Sequence, residues 1–303
     1  MVRRVKGQKI KLDGFNNLTK SLSFNIYDIC YARSKESQLE YLEYVDEEYD
    51  STRLETIVEE VTRIINAKLV QVSTQDYDPR GASVVALVNE DHPLIGTAPF
   101  TAPHSIPADL VPAGHSLPEG LTTDPSSTLS EILAMSSPAV VGHLDKSHIA
   151  IHTYPEYNVQ SGIATFRVDI DIATCGMISP LSALHYLIES FESEVVIIDY
   201  RVRGFTRDGR GTKYFIDHDI SSIQDYISED ALEDYTAYDI NIVSDNNFHT
   251  KMRKKEIKLK DFLFGDEVTN LLPKDKKRIK QLIDLEVQEL FESKNLGRRM
   301  GLS

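Results

Sequence analysis

The residues of this chain best suited to chemistry lie in two segments, HLDKSHIAIHTYPE at 143–156 and FRVDIDIATC at 166–175. In the first, Ser147 follows Lys146 and is itself followed by His148 and His152; the second ends on Cys175, one of two cysteines. A serine hydroxyl is a weak nucleophile until a base takes its proton and donors steady the developing oxyanion. A thiol beside a histidine gains a base or a stabilising charge, whereas a lone buried cysteine is ordinarily inert packing. Strand alternation sends Ile149 and Ile151 one way and His148, Ala150 and His152 the other. In the second segment Phe166, Val168, Ile170 and Ile172 make an apolar side, leaving Arg167, Asp169, Asp171, Ala173 and Cys175 opposite. If the two segments pair, His152 and Cys175 share one polar surface. Ser147 has the opposite parity to His152, so the backbone is expected to bend near Ser147 if the two are to meet. His143, His148 and His152 also stand at strand spacing for a metal, but half-buried strand histidines are the ordinary alternative and no metal site is assigned.

The elements that carry these segments follow from periodicity. STRLETIVEEVTRIIN at 51–66 repeats Leu54, Ile57, Val58, Val61, Ile64 and Ile65 at helical spacing. SLSFNIYDIC before it, and AKLVQVS and GASVVALV after it, alternate as strands. A further helix opens at Ser179-Pro180 with Leu181, Leu184, Leu187, Ile188 and Phe191 on one face, proline suiting a first helical position. EVVIIDYRVRGF reads as a strand running into the turn RDGRGTK, and PKDKKRIKQLIDLEVQELFES as a closing helix whose basic start is unfavourable near the positive end of its dipole. That basic run is a solvated face, or meets the acidic surface of a second subunit. Strands close enough to pair as hairpins, with helices between them, predict an α+β fold rather than a wholly parallel sheet. Eight of the twelve prolines fall between Pro93 and Pro138, so 91–138 is expected to be a long Pro-rich insertion loop, with a short helix at SSTLSEILAMSS.

Composition excludes several classes. With 47 acidic against 33 basic residues the formal charge is −14, opposed to nucleic-acid binding and favourable to a cationic small substrate. The basic N-terminus lacks the apolar stretch of a signal peptide, and no run approaches the ~20 apolar residues needed to span a bilayer, so a cytoplasmic protein without a membrane partner is expected. Cys30 and Cys175 are then expected to stay reduced. There is no Gly-rich phosphate loop, CxxC pair or HExxH, which leaves nucleotide-dependent transfer and zinc chemistry without their usual signatures.

Taken with LDGFNNLTKSLSFNIYDICYA, IDYRVRGFTRD and FHTKM, the two segments resemble the long bacterial form of the S-adenosylmethionine decarboxylase proenzyme family, over all but the first few residues, the Pro-rich loop and the final dozen. The resemblance implies an αββα-type sandwich with largely antiparallel sheets and helices on the outer faces. It implies one catalytic domain, 1–303, that cuts itself between Lys146 and Ser147 into 1–146 and 147–303. Ser147 Oγ would attack the Lys146 carbonyl, and the resulting ester would eliminate and hydrolyse to leave a pyruvoyl group and ammonia. In that family pattern His152 is the proton acceptor in processing and Ser83 assists it. Cys175 is the proton donor in decarboxylation. Glu156 holds the ribose hydroxyls, where a carboxylate can accept two hydrogen bonds, and Tyr77 stacks on the adenine. The pyruvoyl carbonyl would form a Schiff base with the substrate amine and take up electrons as carbon dioxide leaves, the product being the aminopropyl donor for spermidine synthesis. Homo-oligomers of cleaved subunits and magnesium as an activator complete what the resemblance implies. The alternatives are a pyruvoyl-dependent ornithine or arginine decarboxylase on the same fold, and a non-catalytic regulatory paralogue.

Overall fold

A computed structural model of the chain describes residues 18–90, 147–191, 193–208, 210–240, 246–265 and 271–296. Lys146, the Pro-rich stretch and the helix expected at SSTLSEILAMSS lie outside them. In chain order the elements are β1 (Thr19–Ala32), α1 (Lys35–Glu48), α2 (Ser51–Ile64), β2 (Ala67–Asp76), β3 (Ala82–Glu90), β4 (Ser147–Asn158) and β5 (Ile163–Cys175). A 3₁₀ turn at Pro180–Ala183 then runs into α3 (Leu184–Ser190), followed by β6 (Val195–Arg203) and a small hairpin of β7 (Thr206–Arg207) and β8 (Lys213–Tyr214). Last come α4 (Glu229–Asp234), β9 (Tyr235–Asp239), β10 (Asn247–Lys254), β11 (Leu263–Phe264) and α5 (Pro273–Glu292).

Among the described residues one sheet dominates, in the order β2-β3-β4-β5-β1-β6-β10-β9, antiparallel throughout, with β11 added in parallel on β1. Strict alternation gives its two faces different characters. One face carries Leu22, Phe24 and Ile26 of β1, Ile149 and Ile151 of β4, Val168, Ile170 and Ile172 of β5, and Val196 and Ile198 of β6, all buried. The apolar stripes of α1, α2 and α3, including Tyr41, Val45, Leu54, Val58, Val61, Leu184 and Leu187, close over it as the main core. The opposite face is split. At one end α5 packs Ile279, Ile283 and Val287 against Ile29, Ile163 and Val195. Beyond that helix the same face stays polar and open to solvent, with Asp171, Asp199, Arg201 and Arg203 exposed along it.

The α+β class with a large antiparallel sheet is as the sequence implies, and the described part of one chain supplies a single large sheet, beside the small β7–β8 hairpin, with helices chiefly on one side. The paired strands 163–175 and 147–158 and the helix at 51–64 match their periodicity. α1 was not foreseen: KESQLEYLEYVDEE offers only Tyr41, Leu42 and Val45 as apolar buried positions, and its start is fixed instead by Ser34, whose hydroxyl accepts from the Ser37 amide. The helix expected from Ser179 begins as a 3₁₀ turn, while its apolar face is buried as anticipated. The basic first turns of α5, Lys274, Lys276, Lys277, Arg278 and Lys280, are solvent-exposed.

Beneath α1, Tyr41 donates to Asp28 Oδ2 at 2.7 Å, while Glu194 accepts from the Ile29 amide at 2.8 Å and pairs with Lys254 at 3.0 Å. Desolvation, reinforced by the Glu194 charge, pushes the Asp28 carboxyl up to about 8. An acid whose folded value is raised binds its proton more tightly in the native chain, so its contribution is complete below the unfolded carboxylate range and lost as pH rises toward 8. Asp28→Asn is expected to flatten the fall in melting temperature between about pH 4 and pH 8, measured by thermal denaturation across that range. An unchanged slope would assign that fall to other groups.

Candidate active site

β4 begins at Ser147, whose side chain lies on the helix-covered face with Ile149 and Ile151 and is buried. β5 ends at Cys175, and the Cys175 amide donates to Ser147 Oγ at 3.1 Å. The thiol projects to the other, open face, where Thr19 stands opposite it in the β1 register with its hydroxyl 4.0 Å from the sulfur. Directly after Cys175 the chain reverses at Gly176, which has φ of +67°. A serine hydroxyl held by a backbone N–H is steadied in one rotamer, and any negative charge developing on that oxygen meets a donor already in place.

A second group lies farther along β4. His152 is directly opposite Ser83 of β3 on one side and Asp169 of β5 on the other, and its Nδ1 is hydrogen-bonded to the Tyr77 hydroxyl at 3.0 Å. The Tyr154 ring lies nearly parallel to His152 with centroids 6.3 Å apart, and the Arg167 guanidinium sits over Tyr154 at 4.4 Å while bonding Asp169 at 3.1 Å. Glu156, two positions on, is exposed on the same face. Burial, then the charges of Glu289 and Glu156, push the Glu286 carboxyl on α5 upward, so Glu156 faces the end of the sheet that α5 covers.

Tyr77 owes its position to a tight turn. Its amide donates to the Gly81 carbonyl at 2.7 Å, the Gly81 amide donates to Asp46 of α1 at 2.9 Å, and the Ala82 amide reaches Thr153 Oγ1 at 2.7 Å. Gly81 has φ of +92°, and a Cβ there would lie 2.5 Å from the Thr153 carbonyl oxygen. Only glycine lets the turn close against β4.

The structure therefore brings Ser147 to Cys175, and Tyr77 and Ser83 to His152, with Glu156 on the same side, but it keeps these groups apart within one chain. No bend occurs between Ser147 and His152: β4 pairs without a register shift from Val88↔Ser147 to Ser83↔His152 and with β5 on its other edge. Five strand residues span about 16 Å, and Ser147 and His152 point to opposite faces. His152 and Cys175 do share the open face, yet Asp169, the partner of His152, is six residues from Cys175, about 20 Å along the strand. Periodicity reports the face a side chain takes and not its distance along the strand. Thr19 and Tyr154 were not singled out from sequence and Arg167 was read only as lying on the polar side of its strand; the strand register identifies their partners. Among the described residues no group of three His, Cys, Asp or Glu side chains converges to hold a metal ion, and no helix is long and apolar enough to cross a membrane.

Comparison with known proteins adds a family to this geometry. The family model described as S-adenosylmethionine decarboxylase matches residues 135–204. The S-adenosylmethionine decarboxylase proenzyme of Xylella fastidiosa (strain M12) is 49% identical over 289 residues, covering 95% of this chain and 97% of its own. That of Heliobacterium modesticaldum is 50% identical over 296 residues, covering 96% and 98%. The crystal structure of the adenosylmethionine decarboxylase from Aquifex aeolicus aligns at 16% identity with a TM-score of 0.29, covering 62% of this chain and 90% of that one.

Gly81→Ala is expected to destabilise the fold by about 1–3 kcal/mol, since it meets both a strained φ and a backbone oxygen. Denaturant titration measures this. A variant as stable as the parent would mean that the turn under Tyr77 is not held as described.

Proposed function

The chain belongs to the family of S-adenosylmethionine decarboxylase proenzymes, and from that membership we infer that it converts S-adenosylmethionine to its decarboxylated form after cutting itself at Lys146–Ser147. The observation that carries the assignment of the cut is the Cys175 amide held on Ser147 Oγ at the first residue of a strand. A break before Ser147 falls at the first residue of β4 and leaves its pairing with β3 and β5 from His148 onward in place, so the sheet survives the cut. The position also fits a pyruvoyl group: it is the end of a strand, half enclosed, with a thiol on the neighbouring strand end. When formed, that group supplies an electron sink for the pair released as carbon dioxide leaves.

The chain's own residues do the rest. Ser147 Oγ is the nucleophile of self-cleavage, and the Cys175 N–H stabilises charge on it. The Cys175 thiol, beside the Thr19 hydroxyl, holds the proton that replaces the lost carboxylate. Tyr77 offers an aromatic face to the adenine and Glu156 a carboxylate to the ribose hydroxyls. His152, oriented through Nδ1 by Tyr77 and flanked by Ser83, is the base of processing. No step is assigned to magnesium, which in this reading is an activator. The protein is read as cytoplasmic, acting on a small molecule.

The separation along β4 leads to the assembly. A base about 16 Å from its nucleophile cannot serve it, but two chains related by a two-fold axis, open face to open face, set the Ser147–Cys175 end of one against the His152 end of the other. Ser147 Oγ, buried on the helix-covered side, must swing round the strand end to meet that base. The result is helix, sheet, sheet, helix, so the αββα sandwich belongs to the pair. Each site then takes Ser147 and Cys175 from one chain and Tyr77, Ser83, His152 and Glu156 from its partner.

Intact mass spectrometry of the purified parent should give fragments 1–146 and 147–303, the second lighter by one ammonia than an amine-headed chain. Ser147→Ala should stay whole. Co-expressing Ser147→Ala with His152→Ala should restore cutting of the His152→Ala chain, because one shared site is intact; no cutting in the mixture refutes the shared site. Cys175→Ala is expected to cleave at least partly and to lose about a hundredfold or more in turnover of S-adenosylmethionine, while ornithine and arginine are not substrates of the parent.

A further inference from the structure

Lys20 breaks the core-facing series of β1. It shares the parity of Leu22, Phe24 and Ile26, beneath which the apolar core lies, and it is 1% exposed. A buried ammonium is costly in lost hydration unless charge and hydrogen bonds replace the water. Here all three of its N–H donors are engaged: Nζ lies 2.7 Å from Asp217 Oδ2, 2.8 Å from the Gly176 carbonyl and 3.3 Å from the Ile178 carbonyl. Asp217 is buried as well, and its other oxygen meets His218 Nδ1 at 2.8 Å; His218 Nε2 in turn lies 3.3 Å from the Tyr200 hydroxyl. An apolar side chain would satisfy the core at position 20 equally well. What it could not do is bind two carbonyls of the turn that follows Cys175.

That turn adjoins the reacting residues. Lys20 stands opposite Thr174 in the register, and Thr174 Oγ1 donates to the same Ile178 carbonyl at 3.1 Å. One residue farther, the Cys175 amide holds Ser147 Oγ, and the Gly176 amide donates to the Leu18 carbonyl at 3.2 Å. The turn is thus tied on one side to the serine and on the other to the buried ammonium.

We propose that the Lys20–Asp217 ion pair is a positioning device for this site: by clamping the Gly176 and Ile178 carbonyls it fixes the turn that aims the Cys175 amide at Ser147 Oγ and the Cys175 thiol at the open face. Lys20 touches neither substrate nor reacting atoms in this role. The proposal rests on the reading that Ser147 and Cys175 carry the chemistry.

Two variants of the full-length chain test it, with the parent as the control on that reading. Lys20→Met leaves Asp217 buried without the Lys20 ammonium, so the double variant Lys20→Met/Asp217→Asn, which removes both charges, separates the loss of the clamp from the cost of an uncompensated buried carboxylate. Each is followed for the half-time of self-cleavage on denaturing gels, for turnovers before inactivation of the cleaved fraction, and for melting temperature. With the amide and thiol displaced by about an ångström, the double variant should cleave about a hundredfold more slowly at a melting temperature close to that of the parent, and inactivate after fewer turnovers. Parent-like cleavage and endurance in a folded double variant would overturn the proposal. So would failure of the double variant to fold, since the pair would then be structural. A parent that never cleaves would defeat the underlying reading instead.

Discussion

The constraint on which the rest depends is the unbroken ladder of β4 between β3 and β5. From Ser147 to His152 every residue is paired on its β3 edge without a shift of register, and β5 takes up the other edge from His148 onward. A strand paired on both edges can neither bend nor slip, because either would strand backbone N–H and C=O groups in a protein interior. Distance and facing are therefore fixed together: five residues apart, opposite sides. Any chemistry that joins a nucleophile at one end to a base in the middle must recruit the base from elsewhere. The open polar half of the sheet, left bare where α5 stops, is the surface on which it can arrive.

Charged groups on the helix-covered face are few and each has a structural destination. At one end Lys20 and Asp217 hold a turn. At the other Asp28, Glu194 and Lys254, with Tyr41, bind the middle of α1 and the Ile29 amide to the sheet. Between these ends the face is filled by aliphatic and aromatic side chains. Burying charge is costly, so its confinement to the two rims of a sheet leaves the centre to the hydrophobic effect and uses directed bonds only where the chain must turn or dock.

How much of this could be read in advance depended on the kind of signal. Alternation identified β4 and β5 and the faces of His152 and Cys175 because side-chain direction has a period of two and needs no knowledge of neighbours. It could not give the order of strands, so it missed that His152 pairs with Asp169 and Cys175 with Thr19. α1 was hidden because its three apolar anchors are diluted by glutamates, and capping by Ser34 is a single-residue cue. Lys20 was invisible for a related reason. Inside TKSLSFNIYD a lysine reads as a solvent-facing residue, and only the return of the chain at Asp217, nearly two hundred positions later, makes its burial possible.

Strand order also explains how a chain cut before Ser147 would remain one body. The piece 1–146 contributes β1, β2 and β3, and the piece 147–303 contributes β4, β5, β6 and the strands after them. In the sheet these are interleaved: β3 pairs with β4, and β1 is inserted between β5 and β6, with β11 on its end. Separating the pieces would break the β3–β4 ladder and the three ladders of β1, to β5, β6 and β11, at once, besides exposing Leu22, Phe24 and Ile26 from the core. A single peptide bond contributes little against four ladders and a shared core, so its loss frees a new chain end without freeing a fragment. Before the cut Ser147 Oγ is held by the Cys175 amide at the rim of the sheet, and afterwards the new end stays beside Cys175 because β4 remains paired with β5 from His148 onward.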